Sequence, residues 1–293
     1  MLWPLTQGME MTYATPFPRY SAFALVDAHV HIHPCFPLES FLEGALENFR
    51  RAASRLSLFG SATGCLLLAE MAGARWLRRA RDGEETAEGW TLVRTEEESS
   101  LVARRITGES AGDSIGESLI LVAGRQIAAR ERLEVLALGR DVDIPDGLPL
   151  DETLLRVRLS GALPVLPWGF GKWWGHRGGL VAEALARQDG ELYLGDNSGR
   201  LRLAGEPRLL REARERGLLI LPGTDPLPFP DHSGRAGSFG FVLEGPLDER
   251  QPAEDLLRRI RSLREQPRTY GRGETLPRFL RDQATLQLRQ VCA

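Results

Sequence analysis

The sequence predicts an α/β fold organised as a (β/α) barrel. Short apolar segments typical of buried strands alternate with longer segments whose apolar residues recur at helical spacing. The first unit is complete, with a strand expected at 23–27, a helix at 38–56 and a second strand at 64–70. The connection is long enough for the right-handed crossover that joins parallel strands. A length of 293 residues suits one such barrel or two smaller domains.

The same alternation returns after an irregular middle region. Between residues 88 and 140, four β-rich segments lie close together, and the last two leave no room for a helix. We therefore expect a β-meander inserted into the barrel, with a hairpin-like pair at its end. Helices are also expected at 71–82, 151–160, 180–188, 206–217, 253–264 and 275–290, and strands at 162–168, 191–197, 218–225 and 238–245.

No linker divides the chain into independent units, so the expected organisation is one barrel with additions at both ends. Residues 1–20 are proline-rich and irregular and are expected to form an N-terminal leader. Residues 21–245 are assigned to the barrel domain, and residues 246–293 to a C-terminal helical segment.

Composition excludes several classes of protein. The chain is 42% hydrophobic and 26% charged, as in ordinary globular proteins. A net charge of -3 disfavours nucleic-acid and membrane-surface binders, which need a basic excess. The three cysteines are scattered and odd in number, which argues against a disulfide framework and for a reducing compartment. Without a signal-peptide or membrane-helix pattern, a cytoplasmic location is expected.

The strongest chemical signal is a histidine cluster at the end of the first strand. Residues two apart on a strand point to the same face, so His29 and His31 can converge on one cation. Imidazole suits zinc, iron or manganese. Asp27 can orient a ligand, and His33 continues the alternation as a third candidate. A polar strand end without metal is the alternative, but three of the chain's five histidines fall within positions 29–33, which favours the metal site.

Asp225 is the second signal, because it ends a buried apolar strand directly after Gly223 and Thr224. Functional side chains of parallel barrels lie at the C-terminal ends of the strands. Asp225 is therefore expected to be a metal ligand or a general base. The alternative is that it caps the turn before Pro226.

A loop of glycines and aromatic residues, 168–179, also follows a strand. Its Lys172, His176 and Arg177 can bind an anionic group such as phosphate, and the glycines allow close approach of the backbone to a ligand. Lys172 is the only lysine in the chain, whereas the other 36 of the 37 basic residues are arginine. The loop can equally be an aromatic lid with solvated charges.

Weaker candidates lie at the ends of other strands. Glu70 can be a ligand or proton acceptor, or only a surface ion-pair partner. Asp196 and Asn197 end a strand, although Asn197 begins a segment that also suits a plain turn. His232 is on a loop and is more simply structural.

Taken in order, these motifs resemble the polymerase and histidinol phosphatase (PHP) family over roughly residues 22–230. PHP members open with an HxH motif on the first strand, as the segment LVDAHVHIHP does here. Later family motifs are matched by the segments LAEM at 68–71, VAGRQI at 122–127, LEVLAL at 133–138, LPW at 166–168, LYLGDN at 192–197 and GTDPL at 223–227. The resemblance implies a distorted (β/α) barrel that binds divalent metal ions.

Departures from the family pattern reduce the implied metal content. Gln126 stands where the family has a bridging glutamate, and histidines expected near Met71, Trp168 and Leu227 are absent. The surviving ligand set is His29, His31 and Asp225, with Glu70 or His176 as possible additions. That set implies one divalent ion, either zinc, manganese or iron.

Three functions are therefore compatible with the sequence. The first is a PHP-like metal-dependent hydrolase acting on a phosphoester or another small anionic substrate, with Asp225, Lys172 and Glu70 as catalytic residues. Lys172, His176 and Arg177 would bind the substrate anion. The second is a non-catalytic PHP-like scaffold or ligand-binding domain. The third is a single-metal enzyme similar to the amidohydrolases, which also begin with an HxH motif. Neither a nucleic acid nor a membrane is expected as a partner.

Overall fold

The computed structural model describes residues 22–58, 62–106, 117–187 and 190–291. The predicted leader, 1–20, lies outside them. The strands are β1 (Phe23–Val30), β2 (Ala62–Leu68), β3 (Trp90–Arg94), β4 (Ser100–Arg105), β5 (Ser118–Val122), β6 (Gly124–Ala128), β7 (Glu134–Leu138), β8 (Leu163–Pro167), β9 (Tyr193–Asn197), β10 (Ile220–Gly223), β11 (Gly240–Glu244) and β12 (Thr269–Tyr270). The helices are α1 (Leu38–Arg55), α2 (Trp76–Asp82), α3 (Leu150–Leu159), α4 (His176–Arg187), α5 (Arg208–Glu215), α6 (Pro252–Ser262) and α7 (Leu276–Val291), with a short 3-10 helix at Pro230–Arg235.

The strands form two mixed sheets. The first has the order β12-β11-β1-β2-β5-β4-β3, and the second has the order β10-β9-β8-β7-β6. Parallel pairs lie at the centre of the first sheet, between β1 and β2 and between β2 and β5. In the second sheet β8, β9 and β10 are parallel, whereas β6, β7 and β8 are antiparallel.

The predicted (β/α) barrel with an inserted β-meander and C-terminal helices is therefore wrong in its architecture, although the α/β class is correct. Closure would require β10 to pair along β1, but β11 occupies that edge of β1 from Phe23 to Val26. Among the described residues, the hydrogen bonds that join the two sheets are isolated ones at strand ends. The Asp225 N–H donates to the His29 carbonyl at 2.8 Å, and the Glu70 N–H donates to the Gly124 carbonyl at 3.0 Å.

The predicted meander is also corrected. Strands β3, β4 and β5 are antiparallel neighbours, but β5 lies parallel to β2 and so extends the first sheet instead of being inserted into it. The expected hairpin is present as β6 and β7, which begin the second sheet. The chain passes from one sheet to the other between β5 and β6, a change of partner that strand patterning alone does not reveal.

Packing arranges these elements in four layers. Residues on β1 alternate between two apolar environments: Leu25 packs into the cluster that includes α1 and α2, whereas Ala24 and Val26 pack between the sheets. The outer face of the second sheet packs against α3, α4 and α5. Because β1 is covered on both faces, it reads as a continuous apolar segment. Its polar C-terminal end marks where the two sheets meet and where a ligand can enter.

Among the described residues, no helix combines the length and the apolar character needed to cross a membrane.

Candidate metal centre

The end of β1 places two imidazoles side by side. His29 and His31 are both buried, and their Nε2 atoms are 3.1 Å apart. The prediction that these two residues share a direction is confirmed by this distance. When both Nε2 atoms are unprotonated, each presents a lone pair to the other, and a cation placed between them can accept both.

Asp225 reaches the same point from the end of β10. Its Oδ1 atom lies 3.5 Å from Nε2 of His29 and 3.4 Å from Nε2 of His31. Asp225 has a φ of +48°, a left-handed conformation that costs energy for a residue with a side chain. The hydrogen bond of its N–H to the His29 carbonyl maintains this conformation. The strain is thus located at the one acid that faces both histidines.

A glycine makes the approach of β10 to β1 possible. A Cβ atom on Gly223 would lie 2.2 Å from the backbone nitrogen of His29 and 2.6 Å from its Cβ. Any side chain at this position would therefore push the strand carrying Asp225 away from the histidines. Glycine is required at position 223 because the backbone of β10 lies directly against the backbone of β1 at His29.

The donor set fits one divalent ion. Ligand atoms of His29, His31 and Asp225 all lie within 4.8 Å of one another. Atoms each about 2.0–2.1 Å from a tetrahedral zinc are about 3.3–3.4 Å apart. The observed separations of 3.1, 3.4 and 3.5 Å are close to that edge length. Two imidazoles and one carboxylate suit zinc, iron or manganese, as the sequence predicted.

The charges of the three ligands are also appropriate. Burial lowers the pKa of His29, which favours the neutral imidazole that a metal requires. Burial alone would raise the pKa of Asp225, but His29, His31 and Lys172 outweigh it and hold the pKa well below the ordinary range. The group therefore presents one anionic and at least one neutral ligand at neutral pH.

Two amides support the ligands. The Asn197 side chain donates from Nδ2 to Oδ2 of Asp225 at 3.0 Å and to the Trp168 carbonyl at 2.8 Å, so it orients the carboxylate. Its buried Oδ1 has no hydrogen-bond partner among the described residues. Gln126 places Oε1 3.2 Å from Nε2 of His29. The sequence alone favours a plain turn at Asn197. Its two hydrogen-bond partners follow β8 and β10, so its role depends on strand pairing that the local sequence does not reveal.

Asp27 connects the strand that carries His29 to the segment that carries Asp225. It is fully buried and accepts hydrogen bonds from the Thr224 N–H at 2.8 Å, the Thr224 hydroxyl at 2.6 Å and the Gly237 N–H at 2.8 Å. A weaker bond comes from the His29 N–H at 3.3 Å. Burial raises the pKa of Asp27 to about 7, and these donors oppose that rise. Asp27 thus ties the residue before Asp225 to the strand that carries His29.

The other histidines have different partners. His33 forms a hydrogen bond from Nε2 to the Pro226 carbonyl at 2.9 Å and stacks on His31, so it supports the loop after Asp225. His232 accepts the Leu227 N–H on Nδ1 at 3.1 Å and contacts Asp282 through Nε2 at 3.2 Å. Both residues stabilise the segment that follows the strained Asp225. His33 is therefore placed as a supporting residue outside the group of three ligands.

A cavity of about 600 Å³ opens beside Asp225. Four cationic side chains line it, Arg132, Lys172, Arg177 and Arg235, together with Glu274 and Asp282, which pair with Arg235. Lys172 forms an ion pair with Glu134, and Arg177 donates to the Gly171 carbonyl at 2.9 Å. The structure thus places Lys172 and Arg177 beside the ligands, where the sequence analysis expected an anion to bind. Arg132 and Arg235 were missed, since they come from a hairpin turn and a 3-10 helix without motif character.

The remaining candidates, Glu70 and His176, do not line the 600 Å³ cavity. Glu70 accepts the Leu77 N–H at 2.8 Å near the start of α2, and burial raises its pKa to about 7. It also lines a small cavity of about 140 Å³ together with His31. His176 is exposed at the first position of α4 and belongs neither to the ligand group nor to the lining of the 600 Å³ cavity.

The overall chain trace has a counterpart among solved structures. This fold is similar to that of PsfC. The crystal structure of PsfC from Pseudomonas syringae PB-5123 aligns with a TM-score of 0.51, covering 93% of this chain and 100% of that chain at 16% sequence identity. At this identity the likeness concerns the fold alone. No family model and no curated protein matches the chain.

Proposed function

We propose that this protein is a metal-dependent hydrolase that acts on a phosphoester or another small anionic substrate. The observation that carries the proposal is that Asp225, which converges with His29 and His31, also lies in the wall of a cavity that four cationic side chains line. A metal site alone is compatible with many functions, and a cationic cavity alone with simple anion binding. Because the metal ligands and the cationic cavity are adjacent, a metal-dependent reaction of a bound anion is favoured over either function alone.

Each residue has a role in this proposal. A divalent ion held by the three ligands would act as a Lewis acid and would lower the pKa of a water molecule. Asn197 orients Asp225, while Lys172 and Arg177 bind the oxygens of the substrate anion. Glu70 uses Oε1 as an acceptor for Leu77 and, with a pKa of about 7, can exchange a proton on its second oxygen near neutral pH.

The order of motifs supports kinship with the PHP hydrolases, and the ligand set supports a single ion. Gln126, where the family has an acid, contacts His29 with a neutral oxygen and adds no negative charge. We therefore propose one zinc, manganese or iron ion. The substrate is proposed to be a small molecule, and neither a nucleic acid nor a membrane is proposed as a partner.

The test is metal content followed by turnover. Elemental mass spectrometry on protein purified without chelator is expected to find about one equivalent of zinc, manganese or iron. His29→Ala and Asp225→Asn are expected to lose the ion and all phosphatase activity. His176→Ala is the matched control, because His176 is exposed and outside the ligand group, and it is expected to retain both.

Two outcomes contradict the proposal. Metal bound without turnover of any phosphoester would favour a ligand-binding scaffold, or an enzyme that cleaves C–N or lactone bonds if those substrates react. Unchanged activity in the metal-free His29→Ala variant would show that the ligand group is not the reaction centre.

A further inference from the structure

Two cavities of opposite character meet beside the metal ligands. The first, here called the anion cavity, is the 600 Å³ space lined by Arg132, Lys172, Arg177 and Asp225. The second, here called the aromatic cavity, has a volume of about 380 Å³. Trp168, Phe170, Trp173 and Trp174 line it, together with Leu209 and Phe279. Both volumes are in the range of sites that hold small organic molecules.

The two cavities are adjacent and share a wall. Trp168, Phe170 and Phe279 line both of them. The Trp168 carbonyl also accepts a hydrogen bond from the amide of Asn197 that orients Asp225. The shared wall is therefore one hydrogen-bonded residue, Asn197, away from Asp225. A molecule whose anionic group lies in the anion cavity can contact Phe170 and Phe279 with the rest of its structure.

Charge is segregated between them. In the anion cavity, Lys172 pairs with Glu134, and Arg235 pairs with Glu274 and Asp282, which also line the cavity. Within the described ranges Arg132 forms no side-chain ion pair, and the guanidinium of Arg177 donates to the backbone carbonyl of Gly171. In the aromatic cavity the arginines are already paired, since Arg200 forms two bonds with Asp196 at 2.9 and 3.0 Å and Arg208 pairs with Glu212. The first space thus retains two cationic side chains without an acidic partner in the described part of the chain, Arg132 and Arg177, whereas the second offers a mainly apolar wall whose arginines have acidic partners.

The aromatic rings at the shared wall are arranged to receive another ring. Phe170 and Trp174 are 47% and 65% exposed, an unusual position for large apolar side chains beside a catalytic cavity. The ring of Phe170 is edge-to-face with Trp174 at 5.1 Å and with Phe279 at 5.0 Å. Edge-to-face and offset contacts at this spacing are the ones preferred between aromatic rings.

We infer that the substrate is a phosphomonoester whose organic group carries a planar aromatic ring. The phosphate would occupy the anion cavity at the metal ligands, and the ring would pack against Phe170 and Trp174. The identity of the anion rests on the proposed hydrolase function. The preference for a ring rests on the aromatic cavity itself and can be measured without turnover.

The experiment compares ligands that differ only by the ring. Isothermal titration calorimetry on the full chain would measure binding of 3-phenylpropylphosphonate and propylphosphonate, which cannot be hydrolysed as esters. Burial of one phenyl ring is expected to tighten binding by about 10- to 100-fold. The corresponding esters, 3-phenylpropyl phosphate and propyl phosphate, have similar leaving groups, so a difference in kcat/KM reports binding of the ring and is expected in the same range.

Variants locate the effect. Phe170→Ala and Trp174→Ala are expected to bring the ratio of the two affinities close to one, with propylphosphonate affinity and metal content unchanged. Arg177→Ala is expected to weaken both phosphonates by the same factor. Leu159→Ala, which removes a 78% exposed apolar side chain on α3 that lines neither cavity, is the control and is expected to change nothing.

The outcomes separate this inference from the hydrolase proposal. Equal affinity for the two phosphonates, or a ring preference that survives both aromatic substitutions, overturns the inference. If both esters react with equal kcat/KM, the hydrolase proposal stands and the aromatic-ring inference is wrong. If the ring preference is present and sensitive to Phe170→Ala but neither ester reacts, the preference for an aromatic ring stands, whereas the hydrolase proposal and the identity of the ligand as a phosphomonoester substrate are wrong.

Discussion

Asn197 offers a sharp test of the metal centre, because it contacts a ligand without being one. Its Nδ2 atom donates to Oδ2 of Asp225 at 3.0 Å and to the Trp168 carbonyl at 2.8 Å. Asn197→Ala removes both bonds and leaves the Trp168 carbonyl and the Asp225 carboxylate without this donor. We expect the variant to bind metal 10- to 100-fold more weakly, the usual effect of losing a group that orients a ligand.

The magnitude can be worked from these contacts. A tenfold to hundredfold loss of affinity corresponds to about 1.4–2.7 kcal/mol. A hydrogen bond to a charged group contributes about 1.5–3 kcal/mol, which is the same range and is assigned to the bond with Asp225. The bond to Trp168 adds about 1 kcal/mol to the free energy of unfolding. The unfolding free energy of the metal-free variant should therefore fall by about 2.5–4 kcal/mol.

The assay is competition between the protein and a chromophoric zinc chelator, together with urea unfolding. Asn48→Ala is the matched control, because the Asn48 amide also donates to two acceptors, the carbonyls of Gly234 and Ala236 at 2.8 and 2.9 Å. It should lower stability and leave metal affinity unchanged. Equal metal affinity in wild type and Asn197→Ala would refute the idea that Asn197 orients a ligand.

Three further predictions concern the framework of the site. Gly223→Ala should abolish metal binding, measured by elemental mass spectrometry, since its Cβ would lie 2.2 Å from the nitrogen of His29; a fully loaded variant would contradict this. The pKa of buried His232 is lowered to about 4 by burial, so only the unfolded chain gains a proton as pH falls through 6.5. The unfolding free energy should thus decrease by up to about 3 kcal/mol between pH 6.5 and 4, and urea titrations of His232→Gln should lack that share of the decrease. Phe41→Ala, at a fully buried position on α1, should cost about 3–5 kcal/mol of unfolding free energy, measured in urea, without changing metal affinity at 25 °C.

Local structure followed closely from local sequence. Leu38–Arg55 is helical because its apolar residues recur at intervals of three and four, and these residues are buried against the first sheet. The end of β1 was predicted as a metal site because His29 and His31 are two residues apart on a strand. Asp225 was predicted from its place after an apolar strand. In each case the signal lies within a few consecutive residues.

Partners distant in sequence could not be predicted in the same way. The two sheets form instead of a barrel because β11, more than 200 residues after β1, pairs with the edge of β1 that closure would need. The cationic lining from Arg132 and Arg235 depends on where a turn and a 3-10 helix are placed by the packed layers. His176 was a candidate ligand because of its residue type, but it is exposed at the first position of α4.

The sequence by itself thus determined where helices and strands form and identified the two strand ends that carry the proposed ligands. Helical periodicity and strand alternation are local properties of the sequence. Only the tertiary structure decided which strands are neighbours and which side chains face the cavities. It brings Asp225 to His29 and His31 across almost 200 residues, at a contact that only a glycine at position 223 permits. Strand pairing depends on competition between distant edges for the same hydrogen bonds, and that competition is settled only when the whole chain is packed.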